Sequence, residues 1–370
     1  MPLKIFHTAD IHLGMKFNEY PASVQQKLQE ARYEVLKTIA EKASAKNCNI
    51  LVIAGDLFNT PKIEAKKVLK TVNLLDHFQG ECILILPGNH DYAIGPENVW
   101  QTFARNRTKK MVLLDEFEPY DLQEYGLDVT VYPAPCDSRH SEDNNLDWIR
   151  ELERNSDTKF SLGIAHGALA GLSPDITEAY FKMTREELKS LEMDLWLLGH
   201  THIQYPETEN PVNQKIFNSG TPEPDGLDCS HSGFSWYIKL DENHKTRAEK
   251  IATGKFSFHD IEYKITADQD LENIKKELLE RNPTDKIVRL NLSGGISESL
   301  YQNMQSYYEE LKNKLGYLKY EDDDLYINIT QKTIDDRFTP GSFPHHLLTK
   351  LKDDEKTLHL AYEFIKEVQK

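Results

Sequence analysis

The sequence predicts an α/β chain. A large layered domain would span residues 1–254, a smaller α+β domain residues 255–335, and a helical segment residues 336–370. Three observations lead there. Five short apolar runs, at 3–6, 50–54, 83–86, 160–165 and 195–198, are continuous rather than alternating, as strands buried on both faces are. Amphipathic helical stretches stand between some of them. After Gly254 the pattern resets into a self-contained strand-helix-strand-helix-strand unit of 80 or so residues, enough for a core of its own.

In order along the chain, the first strand is followed by a helix whose Val24, Leu28, Ala31, Val35 and Ile39 share one face by three-to-four spacing. The second strand precedes another such stripe, Ala65, Val68, Val72 and Leu75. Thr184-Arg185-Glu186-Glu187 has the capping-box form and opens a helix just before the fifth strand. Residues 117–135 and 215–251 read as strands and turns, the latter punctuated by Gly220, Gly226 and Gly233, and they supply a substantial antiparallel part. Beyond Gly254, residues 258–265, 287–292 and 325–329 read as strands, and 271–279 and 299–315 as helices. The acidic run Glu321-Asp322-Asp323-Asp324 is expected in a solvated hairpin turn. Thr339-Pro340-Gly341-Ser342 breaks the chain before a short helix near 345–351 and a longer one near 355–368. On the last helix Leu358, Ala361, Ile365 and Val368 make an apolar stripe, suited either to its own chain or to a partner helix.

Composition narrows the function. The 370 residues carry 44 Lys and Arg against 60 Asp and Glu, a net charge of −16, and from Lys255 onward 17 basic residues face 22 acidic ones. A general nucleic-acid binder shows a basic footprint, so a nucleic-acid substrate would need a local remedy, and bound metal ions can be one. No apolar run approaches the roughly 20 residues of a membrane span. No signal-like apolar region precedes the first strand, so a cytoplasmic protein is expected. Cys48, Cys82, Cys136 and Cys229 are widely spaced, which suits unpaired thiols in a reducing compartment.

The chemistry sits at the ends of the strands. The five apolar runs lead into Asp10-Ile11-His12, Gly55-Asp56, Gly88-Asn89-His90-Asp91, His166 and Gly199-His200-Thr201-His202. Ligand sites of α/β sheets gather at the carboxyl ends of strands, so these loops can converge. A lone DxH or HxH is usually a solvated loop; five such loops in order, each directly after a buried strand, are not a chance arrangement. Asp10, His12, Asp56, Asn89, His166, His200 and His202 are enough oxygen and nitrogen donors for two divalent ions, with a carboxylate such as Asp56 able to bridge them. Imidazole and carboxylate without thiolate suit Mn, Fe or Zn. Two ions about 3.5–4 Å apart can clamp the attacking and leaving oxygens of a phosphoryl displacement and activate a water as nucleophile. Gly55, Gly88 and Gly199 allow the backbone to turn sharply beside them. His90 could point at the leaving oxygen as general acid, with Asp91 accepting from its other ring nitrogen or serving as a loop cap.

This series of motifs, in order and spacing, resembles the calcineurin-like metallophosphoesterase superfamily over residues 3–240 or so. His7-Thr8-Ala9-Asp10-Ile11-His12-Leu13-Gly14 and Gly55-Asp56-Leu57-Phe58 are similar to its DNA-repair exonuclease branch, the SbcD type; Gly88-Asn89-His90-Asp91-Tyr92 is similar to the YhaO-like bacterial subgroup. Asn218-Ser219-Gly220-Thr221-Pro222 resembles that branch's closing loop, and the unit after Gly254 its DNA-guiding capping domain. The resemblance implies a four-layer sandwich, two mixed β-sheets flanked by helices, and Mn²⁺-dependent hydrolysis of phosphodiesters in DNA. It implies one ion held by Asp10, His12, Asp56 and His202, the other by Asp56, Asn89, His166 and His200, and His90 as catalytic histidine. It also implies a homodimer working with an SbcC-type coiled-coil ATPase docked on the C-terminal helix-loop-helix; this chain has no Walker A sequence, so any ATP dependence would come from that partner.

Two features qualify the implied function. Many nuclease members carry a histidine after Gly-Asp-Leu-Phe, where this chain has Asn59, which leaves polarity and processivity open. The arginines by which the protein-phosphatase branch holds a phosphomonoester are missing here, where Asp91-Tyr92 follows Asn89-His90. Lys62, Lys66, Lys67 and Lys70, then Arg105, Arg107, Lys109 and Lys110, are candidate DNA contacts or merely solvated faces. The alternatives to a DNA nuclease are a phosphoesterase for a nucleotide or other small diester, and a non-catalytic scaffold for an ATPase.

Overall fold

The computed structural model describes residues 2–93, 95, 98–152, 158–172 and 179–368. Two compact units divide the chain, Met1–Ser257 and Phe258–Lys370.

In the first unit, strands β1 (Leu3–Thr8), β2 (Ile50–Ala54), β3 (Cys82–Leu86) and β4 (Met111–Leu113) run parallel, and β10 (Phe234–Leu240) and β11 (Thr246–Ala252) extend the sheet antiparallel beyond β1. A second sheet has the order β5 (Tyr120–Asp121), β6 (Val129–Ala134), β7 (Phe160–His166), β8 (Leu195–Gly199) and β9 (Ile216–Asn218), parallel except for β5. Alternation along the strands explains the stacking. Ile5, Val52, Leu84, Ile164, Leu197 and Ile238 meet between the sheets in one core. Phe6, Leu51, Ile53, Ile83 and Ile85 point the other way, onto helices α1 (Ala22–Ala45), α2 (Ala65–Leu75) and α3 (Val99–Asn106). On the far side Tyr132, Trp196 and Leu198 pack under α4 (Asp147–Glu151) and α5 (Arg185–Ser190). The result is the four-layer sandwich expected from the sequence. Each side chain of this kind removed from water contributes about 1.5–3 kcal/mol. The expected capping box forms at Thr184, whose hydroxyl accepts from Glu187 N–H while the Glu187 carboxylate accepts from Thr184 N–H.

The second unit carries β12 (Ser257–Ile265), α6 (Gln269–Leu279), β13 (Lys286–Ile296), α7 (Glu298–Lys314) and β14 (Tyr317–Ile327), with sheet order β12-β13-β14. The acidic run is not a turn: Glu321, Asp322, Asp323 and Asp324 lie within β14, where the register against β13 shifts between Asn291 and Ser293. A bulge accommodates the extra residue on β14, in a stretch of strand that is largely exposed. A helix absent from the sequence reading, α8 (Gln331–Arg337), precedes α9 (Phe343–Leu351) and α10 (Glu355–Val368). Leu358, Tyr362 and Ile365 pack with Ile334, Phe338 and Leu348, whereas Leu360, Phe364 and Val368 are 67–72 % exposed. The expected stripe therefore divides, and Val368 belongs to the outward face. Among the described residues no helix is long and apolar enough to cross a membrane, and the four cysteines are unpaired and buried.

Candidate metal centre

The five loops do meet. Leu13 and Phe58 form a parallel bridge that extends β1 and β2 beyond the sheet, the N–H groups of Ile11 and His12 both donate to the Asp56 carbonyl at 2.9 Å, and Asp10 N–H donates to the Gly55 carbonyl at 3.1 Å. These bonds force the chain into left-handed backbone at Asp10 (φ 55°), His12 (φ 51°) and Asp56 (φ 52°); His200 adopts φ 97°. Asp and His tolerate this region better than most residues, at a cost of order 1–3 kcal/mol each, and such strain clusters at functional sites.

The donor atoms converge in three overlapping groups, Asp10 with His12 and His202, His12 with Asp56 and His90, and Asp10 with Asp56 and His166, each within 4.8 Å. His12 Nε2 lies 3.2 Å from His202 Nε2 and 3.6 Å from Asp56 Oδ2, and His166 Nε2 lies 3.4 Å from Asp56 Oδ2. Asn89 places its Oδ1 3.0 Å from His166 Nε2 and 3.2 Å from His200 Nδ1, while its amide nitrogen donates to the Arg139 carbonyl. Thus all seven side chains named above, and His90, face one spot. Backbone N–H groups steady the carboxylates: His200 N–H is 3.0 Å from both oxygens of Asp10, and His90 N–H donates to Asp56 Oδ1 at 2.8 Å.

The electrostatics favour positive charge at this spot. Asp10 and Asp56 are 0 % and 1 % exposed, and burying a carboxylate is costly unless a cation or hydrogen bonds compensate. Burial pushes Asp10 up to about 6, against the opposing pull of His202. Burial also works to raise Asp56, but the neighbouring imidazoles, His166 first, outweigh it and hold the carboxyl below its ordinary range. Burial tends to lower His166, yet Asp56 outweighs it and carries the ring to about 9; His12, more dominated by burial, falls to about 3. His166 thus supplies positive charge beside Asp56, whereas His12 does not. The rings are also fixed from behind, since His166 Nδ1 bonds the Ala54 carbonyl at 2.9 Å and leaves Nε2 facing the cluster. Two buried carboxylates, an amide oxygen and imidazole lone pairs converging on one spot are a donor set that fits divalent cations.

His90 is partly buried, its ring 4.8 Å from that of His12 and its Nδ1 3.4 Å from the Asn59 carbonyl. The orientation expected from Asp91 is not there. Asp91 accepts instead from Gly88 N–H at 2.7 Å and Phe58 N–H at 2.8 Å, so it ties the two loops together. It is fully buried, which with the nearby Asp56 charge pushes it up to about 8. The reason is geometric: the tight turn at Gly88 presents its own N–H to the side chain three residues on. Asn59 therefore enters through its backbone.

Several of the basic residues proposed for DNA face solvent. Lys62, Lys66, Arg105 and Arg107 are exposed. Lys66 pairs with Glu64 at 2.8 Å, Lys70 with Glu30 at 2.8 Å and Lys110 with Asp76 at 3.1 Å.

Sequence reasoning missed two neighbours, Asp225 and Arg32, and named Asn218 only as part of the closing-loop motif. Asp225 Oδ2 lies 2.9 Å from His202 Nδ1. Arg32 on α1 is 1 % exposed and donates to the Ile11 carbonyl at 3.0 Å. Asn218 Nδ2 donates to the carbonyls of Thr201 and Ile203 at 2.6 and 2.7 Å, pinning the loop that carries His200 and His202. A signal existed for Arg32, a charge in the middle of the apolar stripe of α1; nothing in the spacing marked Asp225.

A sandwich of two sheets with metal-type donors at the strand ends defines a metallophosphoesterase, and the chain belongs to the calcineurin-like phosphoesterase family, whose sequence profile matches residues 3–204. Members of that family use a dinuclear divalent metal centre, and the clusters described above are of the kind that could hold one. The chain is 24 % identical to the uncharacterized metallophosphoesterase YhaO of Bacillus subtilis over 223 residues, covering 57 % of this chain and 51 % of that protein. It is 26 % identical to the DNA double-strand break repair protein Mre11 of Methanopyrus kandleri over 238 residues, 60 % of this chain and 48 % of that one. A shorter match, 33 % identity over 92 residues, covers 24 % of this chain and 23 % of the D component of the SbcCD nuclease of Staphylococcus saprophyticus. The chain spans about half the length of the first two of these curated relatives.

Proposed function

We propose that the protein is a two-metal phosphodiesterase that cleaves DNA, an SbcD-type nuclease component working as a homodimer with an SbcC-type coiled-coil ATPase. The observation that carries the reading is the convergence of Asp10, His12, Asp56, Asn89, His166, His200 and His202 beside a histidine, His90, whose inner nitrogen is held by a backbone carbonyl. Asp10, His12, Asp56 and His202 would hold one ion, and Asp56, Asn89, His166 and His200 the other, with Mn²⁺ favoured. Bound there, the ions would supply Lewis-acid polarisation of a phosphoryl group and activation of a water. His90, with Nδ1–H on the Asn59 carbonyl when it takes that tautomer, offers Nε2 to the leaving oxygen, to which a protonated ring gives its proton. The similarity to the double-strand break repair protein and to the SbcCD nuclease supports DNA as substrate. The exposed Leu360, Phe364 and Val368 of α10, with Phe343 of α9, supply an apolar face suited to the ATPase.

The test is a substrate panel in Mn²⁺: linear duplex DNA labelled at either end, bis(p-nitrophenyl) phosphate and p-nitrophenyl phosphate. Metal-dependent DNA cleavage, lost in His90→Asn, supports the proposal. Turnover of the small diester without DNA cleavage favours the small-diester reading, and two bound ions with no turnover of any substrate favours a scaffold.

A further inference from the structure

We propose that Asp225, backed by Arg32, is a positioning residue that fixes the His202 imidazole with Nε2 toward the cluster, so that the ion sharing His202 depends on it and the other ion does not. The inference rests on His202 being a metal-binding side chain. Asp225 belongs to none of the strand-end loops; it sits in the segment between β9 and β10, and its carboxylate is 10 % exposed. Its Oδ2 stands 2.9 Å from His202 Nδ1, close enough to accept a hydrogen bond from Nδ1–H, which commits the Nε2 lone pair to the side of His12 (3.2 Å) and Asp10 (4.0 Å). His166 is held in the corresponding way, but by the Ala54 carbonyl, a neutral acceptor. Of these two imidazoles, only His202 is backed by a full negative charge.

The supports behind Asp225 are specific. Arg32 presents a buried guanidinium whose outer nitrogen is 3.8 Å from Asp225 Oδ2, and that nitrogen and Nε have no hydrogen-bond partner among the described residues. Its other nitrogen bonds the Ile11 carbonyl and lies 3.5 Å from the Thr221 hydroxyl, itself 2.9 Å from the Asp10 carbonyl. The loop carrying Asp10 and His12 is therefore braced by the same side chain that faces Asp225. From the other side, Gly233 N–H donates to His231 Nδ1 at 3.0 Å, which leaves His231 Nε2–H to donate to the His202 carbonyl at 2.9 Å. Side chain and backbone of His202 are thus both set by the segment 225–233. Carboxylates that accept from a metal-binding imidazole fix its tautomer and raise its basicity, and losing one typically costs 10–100-fold in metal affinity.

The experiment is equilibrium Mn²⁺ binding by electron paramagnetic resonance on the full chain, wild type against Asp225→Asn and Asp225→Glu. Expected are two ions in the wild type, one of them weakened 10–100-fold in Asp225→Asn, the other unchanged, with partial recovery in Asp225→Glu. A purely structural loss would weaken both together, and that result overturns the proposal, as does an unchanged pair of affinities. A second readout needs no variant: in ¹⁵N-histidine spectra of the Zn²⁺-loaded wild type, His202 should bind through Nε2 with a proton on Nδ1, and the opposite tautomer overturns the proposal. A wild type that binds no Mn²⁺ instead removes the metal reading on which the proposal stands.

Discussion

Replacing Gly55 by alanine should damage the site more than any exposed-loop substitution. Gly55 holds φ +94°, and a Cβ there would meet His166 Nδ1 at 2.0 Å and Cγ at 2.4 Å. The ring has nowhere to go: it is 2 % exposed, and its Nδ1 is bonded to the Ala54 carbonyl. The left-handed backbone costs about 1–2 kcal/mol for an L-residue, the orphaned carbonyl about 1–3 kcal/mol, and the displaced ring about 1–3 kcal/mol. Together these reach about 3–8 kcal/mol, a large part of the 5–15 kcal/mol typical of a domain. Gly126→Ala is the control, since φ is +75° there and a Cβ would meet nothing within 4 Å, so the backbone cost of about 1–2 kcal/mol should stand alone. Urea unfolding in EDTA, followed by tryptophan fluorescence, reads the right unit, because Trp100, Trp148, Trp196 and Trp236 all lie in Met1–Ser257. Equal losses in the two variants would refute the steric argument.

His90→Asn should reduce kcat about 10²–10⁴-fold with metal content by mass spectrometry unchanged; turnover near the wild-type rate would remove His90 from the chemistry. In EDTA, stability should fall as pH rises from about 6.5 to 9: His166 and His202 are carried to about 9, so the folded protein keeps protons that the unfolded chain releases near 6.5. The urea midpoint measured against pH checks this, and a flat or rising profile contradicts it. Saturating Mn²⁺ should reverse the trend, because cations compete with those protons. Leu360→Asp with Phe364→Asp should abolish binding of the proposed coiled-coil ATPase partner in calorimetry while leaving phosphoesterase activity of the isolated chain intact; unaltered binding would place the proposed docking face elsewhere.

The core strands and the donor-bearing loops are legible in sequence because each loop follows a continuous apolar run, and such runs in a parallel sheet end at the same edge; that the donors come from two stacked sheets is seen only in the fold. What lies behind those side chains is not legible. Asp225 reaches His202 across 23 residues with no periodic relation to it, and only the folded course of the segment between β9 and β10 brings it near. Adjacency in sequence pairs Asp91 with His90, whereas the turn at Gly88 aims the Asp91 carboxylate at backbone N–H groups. Four consecutive carboxylates read as a turn, while β14 carries them in a largely exposed stretch of strand. The apolar pattern of α10 was legible, but not that α8 would appear and cover one side of it.

The splint between the first two loops has a practical consequence. Ile11 and His12 reach the Asp56 carbonyl, and Leu13 pairs with Phe58, entirely through main-chain atoms. None of these bonds requires a cation, so the cage should keep its outline when stripped by a chelator and accept a different metal afterwards without refolding. Preparations from one purification could then be reconstituted in parallel with Mn²⁺, Fe²⁺ or Zn²⁺ and compared on identical polypeptide.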